Sequence, residues 1–176
     1  NGVLDNMISS DNISWRGTFT PTTNTEVASN TLSPGINSYT DLAGNNGPAA
    51  DATPNYEVDT LAPSGTFSFT DYLFESGDTA TVTLVFNEVV VDFSSADDIT
   101  VPNLDNGTTP SGTLAAMTSS DNITWSSTFT PTFPNTQDWD HTLSLGTNYT
   151  DVENNPGTAA TSPNYMVDDI DPSTNG

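Results

Sequence analysis

Apolar and polar residues alternate with a period of two along much of the chain. The alternation is clearest in four segments, residues 66–70, 79–86, 123–130 and 164–167. In the third segment one face carries Ile123, Trp125, Ser127 and Phe129. This period places alternate side chains on opposite faces of an extended backbone, and the β-branched and aromatic residues involved suit a half-buried sheet. The pattern therefore predicts β-strands.

Turn signals separate these segments at short intervals. They are Ser76-Gly77-Asp78, Asp105-Asn106-Gly107, Ser120-Asp121-Asn122 and Asn154-Asn155-Pro156-Gly157. No stretch sustains the 3.6-residue period of an amphipathic helix. Many short strands within about 110 residues indicate an all-β fold, with two sheets packed as a sandwich of immunoglobulin type.

One long motif occurs twice. Residues 9–22 match residues 119–132 at 11 of 14 positions, and the offset is 119 − 9 = 110. Tyr39-Thr40-Asp41 returns at Tyr149-Thr150-Asp151 with the same offset, and Pro54-Asn55-Tyr56 returns at Pro163-Asn164-Tyr165 with an offset of 109. A period of this size indicates repeated domains rather than a solenoid.

The repeat sets the expected domain boundaries. Residues 1–59 form the C-terminal part of one module, residues 60–168 form a complete module, and residues 169–176 begin a third module or a linker. Residues 1–59 contain no counterpart of residues 66–110. Two explanations are open: the chain is a piece of a longer array, or strands from another molecule complete the first module.

The charge balance narrows the possible partners. The 176 residues include 23 acidic and 1 basic side chain, for a net charge of −22, and no cysteine. Nucleic acids and anionic membranes require a basic surface, and no apolar run approaches the length of a membrane-spanning helix, so neither partner is expected. Disulfides are impossible, and self-repulsion opposes compaction. A hard cation such as calcium is therefore the expected stabiliser.

Several segments resemble the repeats of bacterial immunoglobulin-like domains. The resemblance rests on residues 39–45, 58–63, 86–90, 93–101 and 125–131, which occur in the expected order over nearly the whole chain. Such repeats form the tandem extender regions of giant surface adhesins, including adhesins with repeats-in-toxin tails. The resemblance implies an extracellular, non-enzymatic spacer on a bacterial cell surface, associated with adhesion and biofilm, whose linkers are often stiffened by calcium.

Candidate calcium ligands are expected first at the joint between the modules. In a sandwich, the final strand of one module ends near two turns of the next module. The residues concerned offer carboxylate, amide or carbonyl oxygens, and they are Asp59, Thr60, Glu88, Asp151, Glu153 and Asn154. Calcium takes six to eight oxygen ligands, which this set supplies in large part. The alternative is that these residues cap turns or are solvated.

A second candidate set lies after the complete module. Asp168, Asp169 and Asp171 fall within four residues and repel one another without a counter-ion. The first turn and the penultimate strand bring further acids that are expected nearby, namely Asp71, Asp78, Asp138 and Asp140. The alternative is a flexible acidic linker.

The remaining candidates favour structural roles. Trp15 and Trp125 are expected in the core, whereas Trp139 lies among polar residues and either packs over a loop or stacks on a sugar. His141 is the only histidine, and no Ser/His/Asp set can be built around it, so an enzyme is not expected.

The leading hypothesis is thus a calcium-stiffened extender module of a bacterial cell-surface adhesin, with neighbouring immunoglobulin-like modules as partners. The alternatives are a glycan- or protein-binding module, and a fibre subunit that other copies of the chain complete by strand addition.

Overall fold

A computed structural model of the protein describes residues 1–35, 38–48, 50–105, 107–133 and 137–170. The chain forms two compact units, Asn1–Leu61 and Ala62–Gly176. Nearly all regular structure in the described residues is β-strand, which confirms the predicted fold class. No helix in the described part of the chain has the length and apolarity needed to cross a membrane.

In its described residues, the first unit forms two antiparallel strand pairs. Its strands are β1 (Gly2–Leu4), β2 (Phe19–Pro21), β3 (Glu26–Asn30) and β4 (Tyr56–Asp59). Strand β1 pairs with β2, and β3 pairs with β4 through a register shift between Val27 and Asn30. Phe19 and Tyr56 meet edge to face with ring centroids 5.4 Å apart. Among the apolar side chains that the structure describes in this unit, Val58 is the most completely buried.

The described residues of the second unit form twelve strands and one helical turn. They are β5 (Gly65–Phe69), β6 (Leu73–Phe74), β7 (Ala80–Phe86), β8 (Val90–Val91), α1 (Ser95–Asp98), β9 (Ile99–Thr100), β10 (Gly112–Leu114), β11 (Thr124–Pro131), β12 (Gln137–His141), β13 (Ser144–Leu145), β14 (Thr150–Asp151), β15 (Ala160–Thr161) and β16 (Tyr165–Asp168). The four segments with the clearest alternation correspond to β5, β7, β11 and β16, so these strand predictions are confirmed.

The sheets of the second unit enclose an aromatic core. One sheet has the strand order β10-β11-β7-β5, and the facing strands include β12-β16-β6 and β15-β13-β9. Phe129 of β11 lies against Phe69, Phe74 and Tyr165 at centroid distances of 5.2–6.1 Å. Interdigitation of side chains from both sheets is what a sandwich core requires.

Strand β11 shows why the alternation is informative. The side chains on the face of Trp125 and Phe129 are partly or fully buried, and those of the intervening residues are exposed. The predicted face is therefore confirmed. The four-residue helix α1 is too short to produce a helical period; the Asp98 carboxylate accepts the Ser94 amide at 2.8 Å across its single turn.

The two tryptophans of the repeated motif differ in their surroundings. Trp125 is partly buried and packs edge to face on Phe93 with the centroids 4.9 Å apart. Trp15 is 52% exposed, so the prediction that it lies in a core is wrong. The reason is that residues 1–61 contain no counterpart of the segment that carries Phe93.

Candidate calcium site

Two predicted ligands meet within the second unit. Strand β14 pairs antiparallel with β8, which places Asp151 opposite Val90, and Glu88 lies two residues before Val90. As a result, carboxylate oxygens of Glu88 and Asp151 lie within 4.8 Å of each other. Two oxygens that bind one calcium ion at ~2.3–2.6 Å are at most about 5 Å apart, so this separation fits a shared ion.

Asp151 is also the central acceptor of its own turn. Its Oδ1 accepts the amides of Glu153 at 2.9 Å and Asn155 at 2.8 Å, and its Oδ2 accepts the Asn155 side-chain amide at 2.7 Å. Asp151 is fully buried, and these three donors supply its carboxylate with hydrogen bonds in place of water. The turn-capping alternative is thus correct for Asp151, and it leaves room for a cation at Oδ2, which has a second lone pair besides the one that accepts the Asn155 side chain.

The same turn occurs in the first unit without a glutamate opposite it. Asp41 accepts the amides of Ala43 and Asn45 and the Asn45 side chain, each at 2.9 Å. The Asn45 side-chain bond, followed by its backbone bond, lowers the pKa of Asp41. Since residues 1–61 have no counterpart of Glu88, the turn motif forms without the paired carboxylate.

Glu153 and Asn154 serve mainly to shape the turn. Both are exposed, and Asn154 adopts a left-handed backbone with φ of 68° while its amide donates to the Asp151 carbonyl at 3.3 Å. Short Asn side chains tolerate this conformation.

Asp59 and Thr60 lie at the end of the first unit. Asp59 closes β4, is half-buried, and its Oδ1 accepts the Leu61 amide at 3.0 Å. The Thr60 hydroxyl donates to the Thr22 carbonyl at 2.7 Å and accepts the Thr25 amide at 3.1 Å. These hydrogen bonds join the end of β4 to the segment between β2 and β3. They therefore hold the backbone next to the predicted ligand Asp59 in place.

The segment that opens the second unit is fixed beside Glu88 and Asp151. The Pro63 carbonyl accepts the Thr158 amide at 3.0 Å and the Tyr149 hydroxyl at 3.3 Å. The Ser64 amide donates to the side chain of Asn87 at 2.6 Å, next to Glu88. The entering chain is therefore attached on one side to the segment before β8 and on the other to the loop around β14.

The second predicted acid set does not converge in the same way. Asp168 repeats the turn of Asp59, because its Oδ1 accepts the Ile170 amide at 3.1 Å, while its Oδ2 accepts the Gln137 side chain at 2.9 Å. Asp169 is half-buried, and Asp171 lies outside the described residues. Within the described ranges, no group of three or more acids includes Asp168 or Asp169.

The acids expected near that set have other partners. Asp71 and Asp78 each accept a backbone amide within their own turns, from Leu73 and Glu75 respectively. Asp140 accepts the Asn164 side chain at 3.0 Å. Within the described residues, none of the four acids expected near that set belongs to a group of three or more acids, so the extended set is not brought together.

Asp138 belongs to a buried polar cluster that the sequence pattern did not reveal. It is 2% exposed, accepts the Asp105 amide at 2.8 Å, and lies 3.4 Å from the ring of His141. The Ser111 hydroxyl is 2.7 Å from that of Tyr165, whose burial raises its pKa to about 12. A register shift between Asp138 and His141 turns both inward, which strict alternation does not predict.

Trp139 is 55% exposed, within that register shift. The part of β16 opposite it carries Met166, which in turn pairs with Leu73 of β6. Packing of the indole over a loop stays a prediction. Sugar or protein binding by this tryptophan stays a prediction.

The chain belongs to the bacterial Ig-like domain family. The family model matches residues 1–58 and 59–167. Domains of this family are generally non-catalytic structural modules that are typically extracellular or surface-exposed, and tandem domains imply neighbouring modules as partners. Neither a curated protein nor a solved structure matches the chain.

Proposed function

We propose that this protein is a structural extender segment of a bacterial cell-surface adhesin, in which calcium stiffens the joint between consecutive modules. The observation that carries the proposal is the pair of carboxylates, Glu88 and Asp151, within 4.8 Å in the second unit. With only 1 basic residue against 23 acidic residues, the chain has almost no internal counter-charge for such a pair. A divalent cation supplies that charge.

The short connection makes Asp59 a suitable third ligand. Asp59 precedes Pro63 by four residues, and an extended chain of that length spans at most ~14 Å. Pro63 and Ser64 are hydrogen-bonded beside the carboxylate pair. The connecting backbone is therefore short enough for Asp59 and the Thr60 carbonyl to reach the same cation. We propose that Glu153 and Asn154, which are exposed in the same turn as Asp151, supply further oxygen ligands to the calcium ion.

The repeat extends the proposal to the next joint. Asp168 is equivalent to Asp59, since 168 − 59 = 109, and both accept the amide two residues later. We propose that Asp168, Asp169 and Asp171 serve a following module as Asp59 serves the second unit. Because this segment is more acidic, the second joint is expected to bind at least as many ions as the first.

The buried polar cluster supports a non-enzymatic role. Ser111, Asp138, His141 and Tyr165 are each at most 5% exposed, so they present almost no surface to a substrate. The hydroxyl of Ser111 is engaged with Tyr165, which also argues against its activation by the histidine. The cluster ties strands together inside the sandwich.

The calcium proposal is tested by thermal unfolding of the intact chain in calcium and in chelator. We expect calcium to raise Tm by several degrees, because a ligand at a hundredfold its Kd adds about 2.7 kcal/mol. Glu88→Gln should abolish most of this rise. Glu75→Gln is the matched control, since it removes the same charge from an exposed position of the same unit. Identical transitions in calcium and chelator would overturn the proposal.

The joint itself needs a second measurement. Solution scattering should show a longer, less variable particle in calcium. Asp59→Asn should abolish most of this lengthening, whereas the second unit should keep most of its calcium-dependent rise in Tm. If Asp59→Asn leaves the calcium-dependent scattering unaltered while Glu88→Gln removes it, Asp59 is not a ligand; if the wild type itself shows no calcium-dependent change in scattering, calcium does not stiffen the joint.

A further inference from the structure

The outward face of the sheet β12-β16-β6 carries a row of three large apolar side chains. Met166 pairs with Leu73, and Trp139 lies in the register shift opposite Met166, so the three residues follow one another across the three strands. The next residues on β16 and β6, Val167 and Phe74, are buried and face the core. Trp139 is 55% exposed, Leu73 is 44% exposed, and Met166 between them is half-buried. We call these three residues the apolar row.

The first unit shows that the fold does not require apolar residues at these positions. Its strands β3 and β4 pair with the same kind of register shift as β12 and β16. The register places Glu57 where the second unit has Met166, and Ala28 where it has Trp139. Two members of the apolar row are therefore particular to the second unit. A group of exposed apolar side chains that folding does not require favours an interaction that covers it.

The border of the apolar row is acidic. Exposed carboxylates lie beside the row on β12, after β6 and in the turn before β6, and they belong to Asp140, Glu75 and Asp71. The only Lys or Arg side chain of the sequence, Arg16, belongs to the first unit. A partner that covers the row therefore meets negative charge at its edge, and positive charge on that partner is complementary.

We propose that the apolar row binds a basic polypeptide segment of another protein, which places its own apolar side chains against the row and its lysine or arginine side chains beside the bordering acids. The face of an indole also attracts a cation, and the flexible thioether of Met166 adapts to side chains of different shape. None of the residues concerned belongs to the candidate calcium site, so the proposal does not depend on calcium binding.

Two other occupants fit the apolar row less well. A second copy brings a net charge of −22 to a surface that is itself acidic, and the two copies repel each other. A glycan would stack on the flat indole of Trp139, but Met166 and Leu73 offer flexible or branched aliphatic groups instead of further flat faces. Side chains of a polypeptide can contact all three residues.

The test uses the intact chain in chelator and a short fluorescent peptide composed of leucine and lysine, followed by anisotropy. We expect saturable binding, and we expect none for a peptide in which glutamate replaces lysine. Absence of saturable binding of the leucine–lysine peptide would overturn the proposal. Because so acidic a chain attracts any cationic peptide, the decisive measurements use variants of the apolar row.

Met166→Glu separates contact with the row from general attraction. The variant adds a negative charge, so attraction to net charge alone would strengthen binding. Loss of the apolar contact should instead weaken binding roughly fivefold or more. Since Glu57 occupies the equivalent place in β4, the fold accepts glutamate at this position. Binding that is unchanged or stronger in Met166→Glu would overturn the proposal.

Trp139→Ala introduces the residue of the first unit and should weaken binding roughly tenfold, because the largest member of the row is lost. Trp15→Ala is the matched control, since it removes an indole of similar exposure from the first unit. Equal effects of the two variants would mean that the peptide adheres to exposed apolar groups in general, and the apolar row would not be its site.

The acidic border is tested by Glu75→Gln, which should weaken binding roughly two- to threefold and make it less sensitive to salt. Glu57→Gln removes the same charge from an exposed position of the first unit and should have a smaller effect. Equal effects of these two variants would show that only net charge matters and would contradict the proposed border.

Two further results would assign the apolar row to another occupant and overturn the proposal. The first is binding to a glycan array that Trp139→Ala abolishes and Met166→Glu leaves unchanged. The second is dimers of the intact chain in sedimentation velocity that Trp139→Ala dissociates and the peptide does not.

Discussion

Phe19 and Phe129 occupy the same place in the repeated motif and have different surroundings. Each pairs with its own tyrosine, Phe19 with Tyr56 at 5.4 Å and Phe129 with Tyr165 at 5.2 Å. Phe129 is fully buried because β5 and β6 add further rings above it, whereas Phe19 is only partly buried. The motif sets the local contact, and strands far away in sequence decide how much the contact stabilises.

The turns of the two units, in contrast, are nearly identical. Asp11 accepts the amides of Ile13 and Ser14 at 2.9 and 2.8 Å, and Asp121 accepts those of Ile123 and Thr124 at the same distances. These bonds span two or three residues, so they require no other part of the module. Local hydrogen bonding is therefore retained where the core differs.

The largest effect should come from removing the equivalent phenylalanines. Phe129→Ala is expected to cost about 3–5 kcal/mol, as is usual for a fully buried aromatic residue, and Phe19→Ala about 1 kcal/mol. Urea unfolding monitored by amide signals from each unit measures both values. A cost for Phe19→Ala as large as that for Phe129→Ala would mean that the first unit has a closed core of its own.

A smaller difference is expected for the equivalent tyrosines. The Tyr149 hydroxyl donates to the Thr158 carbonyl at 2.7 Å in a buried position, whereas the Tyr39 hydroxyl is 3.5 Å from the Pro48 carbonyl and exposed. Tyr149→Phe should cost about 1 kcal/mol because a hydrogen bond from a buried hydroxyl is lost. Tyr39→Phe should change stability by less than about 0.5 kcal/mol. Equal costs in chemical denaturation would contradict this comparison.

The smallest effect concerns pH, and here the two units should agree. Amide bonds from Ser14 and then Ile13 lower the pKa of Asp11 from 3.8 to about 2, and bonds from Thr124 and Ile123 lower that of Asp121. Because the folded pKa lies below the unfolded value, the contribution of each turn is present above about pH 4 and lost as pH falls through the folded pKa.

This agreement is measured from the amide chemical shifts of Ile13 and Ile123 between pH 5 and 2. Both midpoints should lie below 3.8. Asp11→Asn and Asp121→Asn should each remove the titration in their own turn only. A normal midpoint in one unit would show that the turn depends on its surroundings after all.

Much of the fold follows from the sequence because its signals are local or repeated. The alternation located β5, β7, β11 and β16, and the repeat related one unit to the other. The proximity of Glu88 and Asp151 followed from the known closeness of two turns in a sandwich, and the pairing of β8 with β14 realises it.

What could not be predicted depends on contacts between distant residues. The register shift in β12 buries both Asp138 and His141, whereas unbroken alternation would place Asp138 and Asp140 on one face. The exposure of Trp15 depends on a missing neighbour rather than on its own sequence. Neither feature produces a recognisable sequence pattern within a few residues of the side chain concerned.

The pairing of β6 with β16 has a mechanical consequence. These strands are parallel, with Met166 opposite Leu73 and Val167 opposite Phe74, and one lies early and the other late in the second unit. When force is applied at the residues before β5 and after β16, strands β6 and β16 are pulled past each other in opposite directions. The hydrogen bonds between them, such as that from the Met166 amide to the Tyr72 carbonyl at 2.9 Å, then share the force and must fail together. A module stretched in this direction resists extension in shear, whereas an antiparallel pair pulled at one end opens bond by bond.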